Sequence, residues 1–146
     1  RHQRVSGRLF RALSNFVIQH RLGEVFAAPY DVVLSDVDVV QPDLLFVAAA
    51  RTSIIGETHI HGVPDLVVEI LSERTRKVDE RIKRKLYERH RVPEYWIVDP
   101  DLDTISVYRL AEQGYIRAAE LSREGRESLA TLLLPGLAIS LTELFE

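Results

Sequence analysis

Cysteine is absent from this chain of 146 residues, and so is methionine. Without thiols there is no disulfide framework, no cysteine-ligated zinc and no thiolate nucleophile, which suits a reducing cytoplasm, the expected location. The missing initiator methionine leads us to expect that these residues belong to a longer gene product, one lacking an N-terminal segment here. Glycine (7) and proline (6) are too scarce for a collagen-like or disordered chain. Apolar runs are short as well. The longest uncharged one, Leu44 to Ala50, falls far below the roughly 20 residues of a membrane helix. The N-terminus carries no secretory pattern. There is no P-loop, no G-x-G-x-x-G and no G-x-S-x-G, so nucleotide-cradling and hydrolase-elbow chemistry are excluded. Nor is there an internal repeat or linker. What remains is 46% hydrophobic and 28% charged, the composition of one globular domain, expected over residues 1–146.

The formal net charge of −3 hides an uneven distribution. Of 19 lysines and arginines, nine lie between Arg74 and Arg91, against three acids there: Asp79, Glu80 and Glu88. A local cationic excess in an acidic protein points to an anionic partner at one face; a solvated helix face accounts for the same charge.

Val5, Leu9, Leu13, Phe16 and Val17 recur at helical spacing, and Gly23 closes the run, predicting a helix over about residues 4–21. Two short strands, 25–28 and 31–34, follow around Pro29-Tyr30. Leu44 to Ala50 is too short for a helix and apolar enough for a buried strand. Residues 51–63 are polar and predict a loop. Leu66 to Leu71 is the next strand, and Val78, Ile82 and Leu86 predict a second helix packed through that stripe. Glu94 to Asp99 is a strand, 104–110 and 115–121 form a hairpin near Gln113-Gly114, and the tail carries a Pro135-Gly136 turn and a terminal helix. The order predicts one mixed α/β sheet flanked by helices.

Three residues break local rules. Glu69 is a carboxylate inside an otherwise apolar strand, where an unpaired charge costs several kcal/mol. Asp43 opens the preceding strand. If 44–50 and 66–71 are antiparallel neighbours, Asp43 and Glu69 converge at one end and Asp65 stays at the other. Two converging carboxylates raise each other's pKa unless a cation joins them, and oxygen-only ligation favours Mg²⁺ or Mn²⁺. Lys83 lies in the polar stripe Asp79, Lys83, Tyr87, from which an ammonium can reach back over the sheet. Ordinary readings remain open for each: a turn aspartate, a structural ion pair, a surface base. The histidines lack zinc spacing; His59 and His61 sit in a loop, and His2, His20 and His90 have no paired ligand.

Gln41-Pro42-Asp43-Leu44-Leu45-Phe46-Val47, then Gly62-Val63-Pro64-Asp65-Leu66-Val67-Val68-Glu69-Ile70-Leu71-Ser72, resemble the Uma-type restriction endonucleases, a branch of the PD-(D/E)XK nuclease superfamily. Asp79-x₃-Lys83-x₃-Tyr87, Val92 to Pro100 and Leu134-Pro135-Gly136-Leu137 extend the likeness over nearly the whole chain. The resemblance implies a restriction-endonuclease-like αβββαβ core with a metal-dependent site. It puts the superfamily's first acid at Asp43 and its strand acid at Glu69. The usual lysine two residues beyond that acid is missing; Leu71 stands there, and Lys83 matches the family's own lysine. Asp65, four strand residues from Glu69, is expected to be structural or one contact removed from the metal, as are Gln41 and Tyr87.

The expectation is a Mg²⁺- or Mn²⁺-dependent DNA endonuclease in which Asp43 and Glu69 hold the metal, Lys83 assists, and Arg74, Arg76, Arg81 and Arg84 grip phosphates. The alternative is a catalytically inactive nucleic-acid-binding or assembly module on the same fold. A third option is an enzyme acting on a small phosphorylated substrate. DNA is the expected partner, no membrane is involved, and a homodimer is compatible with the chain.

Overall fold

The computed structural model describes residues 1–73 and 78–146, with the backbone alone at Val78. Helix α1 (His2–His20) is followed by strands β1 (Gly23–Ala27), β2 (Asp31–Val33), β3 (Val39–Val40) and β4 (Leu44–Ala48). A 3₁₀ segment (Ala49–Ile54) leads to β5 (His59–His61) and β6 (Leu66–Ile70). Helix α2 (Val78–Arg89) precedes β7 (Glu94–Asp99), β8 (Thr104–Ala111) and β9 (Gly114–Ser122). The chain closes with β10 (Ser128–Thr131), β11 (Leu134–Ser140) and α3 (Leu141–Leu144).

The central sheet has the order β1-β4-β6-β7-β8-β9. Every neighbouring pair is antiparallel except β6 and β7, which run parallel with α2 between them in sequence. Period-two alternation decides what each face buries. On β4 and β6, Leu44, Phe46, Leu66, Val68 and Ile70 join Val5, Leu9, Leu13 and Val17 of α1 in the main core. The other face of β6 sends Val67 into a second cluster with Tyr87, Val92 and Tyr95, beneath α2. Glu69 follows Val67 by two residues and so shares the α2 face. The expected sequence of α1, three antiparallel strands, α2 and a parallel strand is therefore present, with β2, β3 and β5 as a small separate sheet.

Three expectations need correction. Residues 51–63 are not all loop: Ile60 is fully buried and β5 pairs in parallel with β2, because the His-Ile-His alternation suits a half-buried strand. Pro135-Gly136 lies inside β11; the chain reverses at Leu132-Leu133. The stripe expected to pack α2 on the sheet is corrected at Ile82; Leu86 is half-buried, and the Val78 side chain lies outside what is described. Ile82 is 60% exposed while Tyr87 is fully buried, so the helix is turned to put the Lys83–Tyr87 side on the sheet. That side supplies the donors that a buried carboxylate needs, which an isoleucine cannot.

Candidate active site

The β4–β6 register sets Leu44 opposite Val68, so Asp43 falls beside Glu69 at one end of the pair. Ile70 N–H donates to Asp43 Oδ2 at 2.7 Å, and Asp43 N–H reaches Glu69 Oε1 at 3.4 Å. The two acids expected to converge do so through the backbone of each other's strand.

Glu69 is only 5% exposed. Tyr87 Oη donates to its Oε2 at 2.6 Å, and Lys83 Nζ stands 3.6 Å from the same oxygen. Burial pushes the Glu69 carboxyl up to about 7; Lys83 and the Tyr87 hydroxyl pull it down, and the neighbouring Asp43 charge adds to the rise. Burial and the Glu69 charge push the Tyr87 hydroxyl far above its ordinary value, so it stays a proton donor. Lys83 also lies 3.7 Å from Asp79, the i,i+4 partner one turn earlier. The ammonium thus bridges Asp79 at the mouth of α2 and the strand acid Glu69, with its side chain 36% exposed.

The remaining expected residues are scattered. Asp65 sits at the opposite end of the strand pair, where its Oδ2 accepts from Ala48 N–H at 2.8 Å and pairs with Arg51 at 3.1 Å. Of its two expected roles, this contact set is the structural one. Gln41 donates to Asp31 Oδ1 at 2.7 Å on the surface. Arg84 is tied inward: its guanidinium donates to Tyr108 Oη at 2.7 Å, lies 5.1 Å over that ring and is 3.5 Å from Glu80. It anchors α2 to β8, so its guanidinium is already engaged within the protein. Arg81 is exposed and makes no ion pair with any described residue. Arg74 and Arg76 lie outside the described residues.

One neighbour was missed. His2, the first residue of α1, brings Nε2 within 3.0 Å of the Ile70 carbonyl and 3.8 Å of Asp43 Oδ2. The two side chains are 41 positions apart with no shared spacing pattern. Only the docking of α1 across the sheet brings them together.

Among the described residues, no group of three or more His, Asp or Glu side chains is spaced to hold a metal ion. Mg²⁺ does not require one: it is commonly held by one or two carboxylates, with waters and substrate phosphate completing an octahedron. Asp43, Glu69 and the Ile70 carbonyl form an oxygen donor set of that kind. The buried, poorly neutralised Glu69 carboxylate fits a cation at this end of the strands.

A mixed sheet flanked by α1 and α2, with two acids meeting at the ends of adjacent antiparallel strands, is the architecture of the restriction-endonuclease-like fold. A protein from Anabaena variabilis, described as a putative nuclease belonging to DUF820, superposes with a TM-score of 0.79 at 19% identity. The match covers 99% of this chain and 79% of that one. The type IIG restriction endonuclease BpuSI shares the fold at a TM-score of 0.51 and 14% identity, over 84% of this chain but 13% of its own length. No curated protein matches the chain. The model of the Uma2 family, described as "Putative restriction endonuclease", matches residues 1–142, and the chain belongs to that family.

Proposed function

We propose that the protein is a divalent-metal-dependent endonuclease that hydrolyses phosphodiester bonds in DNA. The observation that carries this reading is the Lys83 ammonium 3.6 Å from a buried Glu69 whose neighbour is Asp43. A lysine from α2 occupies the neighbourhood that the missing strand lysine would fill, because Leu71 cannot. Asp43, Glu69 and the Ile70 carbonyl would hold Mg²⁺ or Mn²⁺, which supplies an activated water and polarises the scissile phosphate. Lys83 offsets charge that develops on the phosphate oxygens. Tyr87 locks the Glu69 carboxylate in one orientation by donating to Oε2. Arg81, exposed on α2, contacts a flanking phosphate, and DNA is the partner. We place the protein in the cytoplasm, where its substrate and a reducing milieu coincide; no described helix is long and apolar enough to cross a membrane. A homodimer would let two such sites address both strands.

Plasmid nicking tests the reading. The wild type with Mg²⁺ or Mn²⁺ is expected to nick supercoiled DNA, and Glu69→Gln to abolish nicking while leaving duplex affinity intact. Wild-type rates from Glu69→Gln remove Glu69 from the mechanism. Leu71 in place of the strand lysine favours one rival, an inactive DNA-binding module. Binding with no cleavage under either metal establishes that rival.

A further inference from the structure

Where α1 crosses the end of β1, beside Asp43, lies a cleft of about 330 Å³ that the chemistry of Asp43, Glu69 and Lys83 does not use. Its volume is in the range of sites that take small organic ligands, about 300–1,000 Å³. Asp43 forms one rim. Ala28 N–H donates to the Asp43 carbonyl at 3.0 Å, so the β1 wall and the acid are one fixed piece. Small residues keep the walls apart: Ser6 and Gly7 on α1, Ala27 and Ala28 at the end of β1. Gly7 is the telling one. Glycine is a poor residue for the interior of a helix, and no close backbone approach requires it here. A Cβ added at Gly7 would meet only Arg11 Nη1, at 3.5 Å. What the missing side chain provides is open space.

The lining selects the chemistry of the occupant. No lysine or arginine is among the described lining residues, and a carboxylate stands at the rim, so an anionic group is disfavoured inside. Phe10 offers a half-buried aromatic ring, and Gln3 and Ser6 offer groups that both donate and accept hydrogen bonds. A neutral, flat, hydrogen-bonding heterocycle answers to all three. In a nucleic-acid strand each phosphate has a base on the neighbouring sugar, so a phosphate held at Asp43 and Glu69 would bring the adjacent base to this opening. We propose that the cleft is a subsite for one unpaired nucleobase, that of the nucleotide next to the scissile phosphate. A base in a duplex is stacked and tied to its complement, so the substrate is single-stranded or unpaired at that position. The inference rests on the nuclease reading above and deepens it by naming the form of DNA that is cut.

Metal-free binding of a short labelled single strand to the whole chain, read by fluorescence anisotropy, provides the test apart from cleavage. The wild type is expected to bind that strand roughly 5- to 150-fold more tightly than an abasic strand of the same length, the range that one stacked base provides. Gly7→Leu puts a side chain into the cleft and exchanges a poor helix residue for a good one. It should bind both strands alike, at the abasic level, with a thermal melt no lower than that of the wild type. Ser6→Leu fills the cleft from the next position and should repeat the result. Phe10→Leu keeps the apolar bulk against the core but loses the ring face, and should lose most of the preference. A wild type that binds the two strands alike, or a preference that survives in both filled variants, overturns the proposal. So does displacement of the strand by an equal concentration of free deoxynucleoside monophosphates, which would assign the cleft to a free nucleotide. Cleavage is scored separately, with Mg²⁺ or Mn²⁺ added. A base preference in a protein that cuts no DNA keeps this subsite and removes the nuclease; cutting with no base preference does the reverse.

Discussion

Glu69 on β6 and Glu94 on β7 are both buried carboxylates on adjacent strands, 5% and 3% exposed. They sit on opposite faces of the sheet and are treated very differently. Glu94 shares the α1 face with Trp96 and is surrounded by donors: Trp96 Nε1 at 2.7 Å, Thr131 Oγ1 at 3.0 Å and Arg109 Nε at 3.1 Å. Among the described residues, Glu69 has one close donor, Tyr87 Oη, with the Lys83 ammonium standing off at 3.6 Å and Asp43 beside it. Burial alone therefore does not mark a functional acid. The mark is a burial left incompletely compensated, because a fully satisfied carboxylate has nothing left to offer a ligand.

The largest expected effect breaks the structural half of this comparison. Glu94→Ala leaves Arg109, Trp96 and Thr131 without their acceptor, and chemical denaturation should show a loss of about 3–5 kcal/mol. Equal stability of variant and wild type would mean that Glu94 is no better compensated than Glu69.

At Glu69 the sign reverses. Its folded-state carboxyl is pushed from 4.5 up to about 7, so the folded chain holds the proton more tightly than the unfolded chain between those values. Its contribution to the stability of the metal-free protein should fall as pH rises through that window, by on the order of 3 kcal/mol, and stay lowered above it. Glu69→Gln should be more stable than wild type at pH 8 and should lose that pH slope. Thermal melts from pH 4.5 to 8 decide it: a variant less stable than wild type at pH 8 contradicts the assignment.

Removing the ammonium sharpens the same contrast. Lys83→Met should raise the Glu69 carboxyl further and lower metal-dependent nicking roughly 100-fold, with Tyr87 still holding Oε2. A nicking rate within a few-fold of wild type would assign Lys83 to α2 docking instead. The smallest effect lies on the exposed side of α2. Arg81→Ala should reduce the salt slope of duplex binding by about one unit, whereas Arg84→Ala should act mainly on stability, because Tyr108 and Glu80 already occupy its guanidinium.

How far the sequence discloses this arrangement depends on the range of the interactions involved. The β4–β6 pairing and the meeting of Asp43 with Glu69 follow from two apolar runs and strand alternation, both local properties. The face of α2 does not. Val78, Ile82 and Leu86 present the better apolar stripe, but the sheet beneath offers Glu69, and a 12-residue helix rotates readily to bring Lys83 and Tyr87 to it. The second buried acid, Glu94, sits in an apolar strand just as Glu69 does, and only the partners from β8 and β10 separate the two. His2 leaves no trace in the spacing, since its relation to Asp43 exists only after α1 docks.

The hydrogen bond from Trp96 to Glu94 also gives the protein an internal optical gauge. Trp96 is the single tryptophan of the chain, fully buried in the central sheet on the α1 face. Its fluorescence therefore reports the packing around β7 alone. Emission should shift to longer wavelength only when that sheet opens to water, and should stay constant when a ligand settles on the α2 face. A spectral change on adding metal or DNA would reveal strain transmitted through the sheet from one face to the other.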